Sequence, residues 1–292
     1  MRLAVYLDEL HDDPALALDA LPTSWTSICV RSAWGRKIDL LTAEHLRILA
    51  TLIRDKGKHA VLVASECTAL GKVEQMLQFC QVLGCKALRT VPDFTSPQLA
   101  DWFRAVSSSS LAADVVPVLE PGFMCWQKPT DLALLLAGHR RWQLIYDPAS
   151  LTDNGRRTGN TFVQYWSLFK QRVAFLDIRD YRRDAGRVPP GLGDGQLDLI
   201  LSDTAHCGYK GWVCLEFGLG SRLGGVTGKD RTFKMGLQAL NVLIERLGLA
   251  HEFPNLNDEF ERSIPTTAPS RREEGKGSTD AGRERAGRTI SN

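Results

Sequence analysis

Eight short apolar runs recur along this chain, at 2–7, 25–32, 59–64, 86–91, 114–119, 142–146, 173–178 and 212–217, and longer segments with helical spacing separate them. Runs that are apolar almost throughout, rather than on alternate residues, suit parallel strands buried on both faces. Strand and helix alternating over about 250 residues predict an α/β chain folded as a (β/α)8 TIM barrel. An open doubly wound sheet is the competing architecture. Its phosphate-binding signature is missing, because Asp8-Glu-Leu-His-Asp-Asp13 follows the first run where a GxGxxG would stand. A Walker A loop is missing too, since Gly228-Lys229 is followed by Asp230 and position 223 is Leu.

The intervening segments read as amphipathic helices. Thr42 is placed to cap a helix with Leu46, Leu49 and Ile53 on one face, and Gly57 to end it. Val73, Met76, Leu77, Cys80 and Leu83 form the next stripe, closed by Gly84. Segment 97–106 predicts a shorter helix, with the serine run Ser107–Ser110 as a loop after it. Further helices are expected at 129–138, 160–171, 196–205 and 232–247, the last with Leu237, Leu240, Ile244 and Leu247 on one face. From residue 264 the composition changes: 264–292 has no aromatic residue, and Ile264 and Ile290 are its only large aliphatics. Such a segment has too little apolar surface to offset the entropy of ordering it. The domain division expected is one barrel over 1–263 and a disordered polar tail over 264–292.

Charge and cysteine usage narrow the function classes. Lys and Arg number 36 against 34 Asp and Glu, a formal +2, which gives no long-range positive field for general nucleic-acid binding. No apolar run approaches the roughly 20 residues of a membrane span, and Asp8-Glu9 interrupts the first run too early for a secretion signal. The 7 cysteines form no CxxC pair and mostly sit in apolar stretches, as expected of reduced thiols in a cytoplasmic protein.

In a barrel the chemistry lies at the C-terminal ends of the strands. Four consecutive runs deliver a carboxylate there: Glu120, Asp147, Asp177 (followed by Asp180) and Glu216. One such acid is an ordinary helix cap or loop residue. Four together repel unless a cation or a shared proton compensates them. Oxygen-rich ligation favours Mn2+ or Mg2+, which could polarise a carbonyl while a flanking glutamate moves a proton. Two glycine-rich loops, Gly191-Leu-Gly-Asp-Gly195 and Gly224–Arg231, could present N–H groups to an anion, or serve as plain turns. Trp34 and Trp126 could stack on a sugar face, whereas Trp212 inside a run reads as core. No GxSxG elbow supports a hydrolase, and the 6 histidines are too scattered for a zinc cluster.

Several motifs resemble those of the sugar phosphate isomerase/epimerase family within the xylose-isomerase-like barrel superfamily. They are Val30-Arg-Ser-Ala-Trp-Gly35, Gly71-Lys-Val73, Asp147-Pro-Ala149, Arg187-Val-Pro-Pro-Gly-Leu-Gly-Asp-Gly-Gln196, Gly208-Tyr-Lys-Gly-Trp212 and Leu215-Glu216. The resemblance implies a divalent metal, Mn2+ or Mg2+ favoured, held by Glu120, Asp147, Asp177 and Glu216. It also implies that Glu120 and Glu216 act as the acid/base pair, and that Arg31, Lys72 and Arg179 hold substrate oxygens or a phosphate. The chain departs from the family at three places. Asp177 stands where members have His, Ser150 where they have Asn or His, and Phe217-Gly-Leu219 where they have Pro-His-Leu. Two readings follow: a metal-dependent isomerase or epimerase of a small sugar, polyol or hydroxy-carbonyl compound, or a catalytically degenerate barrel that binds a sugar-like ligand or protein partner without turnover. Neither calls for nucleic acid or membrane.

Overall fold

The computed structural model describes residues 1–92, 98–120, 129–154, 165–219, 228–254 and 256. Eight parallel strands close into a barrel in sequence order: β1 (Arg2–Tyr6), β2 (Ser27–Val30), β3 (His59–Ala64), β4 (Ala87–Arg89), β5 (Val116–Leu119), β6 (Gln143–Tyr146), β7 (Val173–Asp177) and β8 (Trp212–Leu215). β8 returns to pair with β1, with Ala4 opposite Cys214 and Val5 opposite Leu215. Each of the eight apolar runs therefore contains one barrel strand, and closure leaves the barrel sheet without an edge.

Around the barrel lie α1 (Pro14–Asp19), α2 (Ala43–Asp55), α3 (Leu70–Leu83), α4 (Leu99–Ala112), α5 (Pro129–Gly138), α6 (Pro148–Asn154), the turn α7 (Ser167–Phe169), α8 (Leu197–His206) and α9 (Lys229–Arg246). Thr42 caps α2 as its sequence requires, accepting the His45 N–H at 3.2 Å. Gly84 closes α3 in the left-handed region at φ +65°. The core stripe of α9 packs closely on the segment after β8: a Cβ on Gly236 would lie 2.3 Å from the Phe217 ring, so only glycine fits there.

The structure corrects one expectation about the helices. Ser107–Ser110 is not a loop but lies inside α4. Serine disfavours helix interiors because its hydroxyl competes for backbone groups. Here the hydroxyls bond back along the helix, Ser107 to the Phe103 carbonyl at 2.6 Å and Ser108 to the Arg104 carbonyl at 3.1 Å. The Trp142 indole N–H also donates to Ser107 at 2.9 Å, and Ser110 is fully buried. Tertiary packing thus overrides the local preference. The helix expected over 160–171 is described only from Tyr165, and the tail 264–292 lies outside the described residues.

Two apolar layers hold the barrel. The outer one lies between strands and helices; the inner one fills the barrel with Ala4, Tyr6, Cys29, Leu62, Ala64, Ala87, Val118, Ile145, Phe175 and Cys214. Every strand contributes to this inner layer. Cys29, Cys67, Cys80, Cys85 and Cys214 are buried free thiols and Cys207 is an exposed one, while Cys125 lies outside the described residues. Among the described residues no helix is long and apolar enough to cross a membrane.

Candidate active site

Strand periodicity builds the site. Side chains two residues apart share a face, so the position two beyond the last inner-layer residue of each strand opens at the C-terminal mouth. Taken strand by strand from Tyr6, Cys29, Ala64, Ala87, Val118, Ile145, Phe175 and Cys214, those positions are Asp8, Arg31, Glu66, Arg89, Glu120, Asp147, Asp177 and Glu216. Every one is ionisable. The apolar plug of the barrel is thus capped by a charged layer with one residue per strand.

Guanidinium groups knit this layer together. Arg89 donates to Glu120 Oε2 at 2.5 Å, both side chains almost fully buried. Arg31 donates to Glu216 Oε1, to Asp8 Oδ2 at 2.9 Å and to Glu9 Oε1 at 3.3 Å. Arg179, two residues past the end of β7, donates to Glu216 Oε1 at 2.8 Å and lies 3.3 Å from Asp147 Oδ2. Asp147 is further held by the Ala149 N–H at 3.0 Å and by the Ser150 hydroxyl. Asp177 is fully buried, and neither of its oxygens has a hydrogen-bond partner among the described residues.

These surroundings separate the proton affinities of the acids. Burial pushes Glu120 up to about 7, Arg89 opposing and the Asp147 charge adding to the rise. Burial also disfavours ionisation of Glu216, but Arg179 and Arg31 outweigh it and hold this carboxyl down at about 2. Asp177 is raised well above the usual carboxylate range by burial and by the charges of Glu216, Glu120 and Asp147. Acids in one site whose environments pull their affinities apart are suited to different roles in proton transfer.

The loop beyond β7 is fixed by an internal anion. The Asp180 carboxylate accepts N–H bonds from Gly191 and Gly193 at 2.9 Å, Gly195 at 3.0 Å and its neighbour Tyr181 at 2.9 Å. The glycine-rich loop does present its N–H groups to an anion, and the anion is this side chain. A Cβ on Gly193 would fall 2.2 Å from Asp180 Oδ1. Asp180 adjoins Arg179, so the cage also fixes where that guanidinium enters the site. Beside the charged layer lies a cavity of about 280 Å3 lined by Asp8, Arg31, Ser32, Lys37, Asp39 and Glu66. The Oδ1 atoms of Asp8 and Asp39 are buried acceptors without a donor among the described residues.

Of the seven residues expected at the site, six come together: Glu120, Asp147, Asp177, Glu216, Arg31 and Arg179. Lys72 does not join them; it is exposed on the first turn of α3, 3.1 Å from Gln75. Trp34 packs 5.4 Å from the His45 ring, while Trp212 sits at the opposite end of the barrel under the Arg2 guanidinium. Trp126 and most of the 224–231 loop lie outside the described residues. Sequence reasoning missed Arg89, Asp8, Glu9 and Glu66. The rule that found the acids, applied to every charged residue leaving a run, finds Asp8 as well, whereas Arg89 stands inside the run 86–91.

The four carboxylates, as arranged, do not fit a divalent metal. A hard cation needs several oxygens converging at about 2.1–2.5 Å. Asp147 has both oxygens engaged, Glu216 Oε1 is shared by two arginines, and Arg179 lies between these two acids. The remaining free oxygens, on Glu120, Asp177 and Glu216, do not complete a group of metal-holding side chains among the described residues.

Neither the family models nor the curated proteins contain a match to this sequence. Solved structures do match its fold. A xylose isomerase-like TIM barrel protein from Mycobacterium smegmatis in complex with magnesium aligns with TM-score 0.59 and 13% identity over 84% of this chain and 97% of its own. The IolI protein with a bound zinc atom aligns at TM-score 0.63 and 15% identity, over 85% and 99%. The 3-keto-D-glucoside 4-epimerase YcjR from E. coli aligns at 0.60 and 12%, over 83% and 98%. The chain has the fold of the xylose-isomerase-like TIM barrels.

Proposed function

We propose that the protein is an isomerase or epimerase of a small sugar-like hydroxy-carbonyl compound, moving a proton at the C-terminal mouth of its barrel. The observation that carries this reading is the charged layer itself. Eight ionisable side chains, one following each strand, ring the barrel mouth, three of them (Asp8, Arg31 and Glu66) lining a polar cavity, with Glu120 poised near neutrality and Glu216 held ionised by Arg31 and Arg179. The epimerase and isomerase-like proteins that share the fold support the same general kind of chemistry.

The residues take distinct parts. Glu120, with a pKa of about 7, accepts a proton from the carbon next to the substrate carbonyl and returns it. The C–H electron pair becomes a carbon–carbon double bond, and the carbonyl π pair moves onto oxygen to give an enediolate. Arg31, which lines the cavity, stabilises that negative oxygen. Returning the proton to the adjacent carbon, while the hydroxyl proton passes to the former carbonyl oxygen, gives isomerisation. Delivery of a solvent proton to the opposite face of the first carbon, with Glu120 releasing its own proton to solvent, gives epimerisation, and Glu216 stays ionised between Arg31 and Arg179 throughout. Asp8 and Asp39 accept substrate hydroxyls. Magnesium and zinc belong to two of the compared structures; here arginines contact Glu120, Asp147 and Glu216, and no step runs through an ion.

The test is deuterium incorporation from heavy water into a panel of small aldoses, ketoses and polyol-derived ketones. Exchange in the wild-type chain, lost in Glu120→Gln, is expected. Binding of a sugar without any exchange would instead establish the second reading, a barrel that holds its ligand without turnover. That reading is favoured by the extent to which Asp147 and Glu216 are already tied up in ion pairs.

A further inference from the structure

We propose that Arg179, with Arg31 and Arg89, takes the place of a divalent ion in this site, so that the protein binds no metal and acts without one. The proposal deepens the proton-transfer reading and rests on it for metal-independent activity; the absence of metal binding stands independently of it.

The placement of the guanidinium groups carries the argument: both oxygens of Asp147, Oε1 of Glu216 and Oε2 of Glu120 are engaged, while those of Asp177, Oε1 of Glu120 and Oε2 of Glu216 have no partner among the described residues. Arg179 joins Asp147 and Glu216 from a position between them, at 3.3 and 2.8 Å. Arg31 takes the same Glu216 oxygen from the other side, and Arg89 takes Oε2 of Glu120. Three of the four acids expected to hold a cation are therefore each in contact with a guanidinium. A dication placed among them would lie next to fixed positive charges in a buried setting, where such repulsion is strongest.

Arg179 is not placed to swing aside. It is 5% exposed, and Ile178 before it and Asp180 after it are both buried. Asp180 is locked by its four N–H bonds, three of them from the glycine loop. Moving the guanidinium out would leave the buried Asp147 without a counter-charge and Glu216 with Arg31 alone. Arginine is suited to such a role because its charge is permanent and its planar fork serves two carboxylates at once. Arg179 is thus a positioning residue, which holds the acids in place through charge rather than touching substrate.

The experiment uses the full chain, purified and dialysed against chelator, and titrates it with MnCl2, MgCl2 and ZnCl2 by calorimetry and thermal melting. The wild-type chain is expected to bind none of them stoichiometrically and to melt at the same temperature with and without millimolar ion. Arg179→Gln vacates the gap between Asp147 and Glu216, so Mn2+ is expected to raise its melting temperature by several degrees; Arg179→Lys, which keeps a positive charge, gains nothing. A wild-type chain that takes up one ion at micromolar affinity or better overturns the proposal. So does a folded Arg179→Gln chain that responds to no ion. If Arg179→Gln does not fold, the wild-type titration decides by itself. Absence of deuterium exchange would overturn the proton-transfer reading and leave the metal result standing, so the two failures are distinguishable.

Discussion

The Arg179 guanidinium donates from Nη1 to Oε1 of Glu216 at 2.8 Å, joining the loop after β7 to the end of β8 inside the barrel mouth. Both groups are almost wholly buried, so neither can recover its hydration if the other is lost.

Removing the charge at Arg179 should therefore cost more than a surface ion pair would. Arg179→Gln strands Asp147 and Glu216 without this partner, and a loss of about 3–5 kcal/mol in unfolding free energy is expected. Urea unfolding monitored by circular dichroism measures it. A loss below about 1 kcal/mol would show that the pair is effectively solvated.

Glu120 sets a pH signature. A base with a pKa of about 7 makes the exchange rate rise roughly tenfold per pH unit below 7 and level off above it. Glu120→Gln should lower exchange by about 10²–10⁴-fold at every pH. Stability runs the other way. The folded chain holds this proton more tightly than an ordinary glutamate near 4.5, so the folded state loses ground as pH rises from 4.5 through 7. Glu120→Gln is expected to gain on the wild type across that interval, as melting temperatures at pH 5 and pH 8 would show.

Arg89 tunes that value. Its charge lowers the proton affinity of Glu120 against the effect of burial. In Arg89→Met the midpoint of the pH–rate profile should move about one to three pH units higher. An unmoved midpoint would assign the titrating base to a different residue.

Gly193→Ala tests the Asp180 cage. The added Cβ falls 2.2 Å from Asp180 Oδ1 and 2.7 Å from the Tyr181 carbonyl, so the loop must shift. A destabilisation of about 1–3 kcal/mol is expected from this overpacking, together with slower exchange as Arg179 is displaced. Gly71→Ala, where nothing lies within 4 Å of the new Cβ, serves as the control.

The sequence by itself determined the barrel. Runs apolar on both faces can be satisfied only as buried parallel strands, and eight of them alternating with amphipathic segments leave a closed barrel as the consistent arrangement. It also places four carboxylates, Glu120, Asp147, Asp177 and Glu216, at one face, because strand ends converge there; Asp8, Glu9 and Glu66, which join the same layer, are not among them. The serine run was misread because the bonds that keep it helical include one from Trp142, 35 residues away. What compensates the acids was beyond the sequence as well. An acid at a strand end looks the same whether a metal, a proton or an arginine faces it, and the choice depends on side-chain reach across strands. Only the tertiary structure brings Arg89 to Glu120, Arg31 to Glu216 and Arg179 between Asp147 and Glu216, across separations of 31, 185 and 37 residues in the two glutamate pairs and the Arg179–Glu216 pair. Local periodicity fixes the face on which a residue stands; the closure of the barrel decides which opposite charge it meets there.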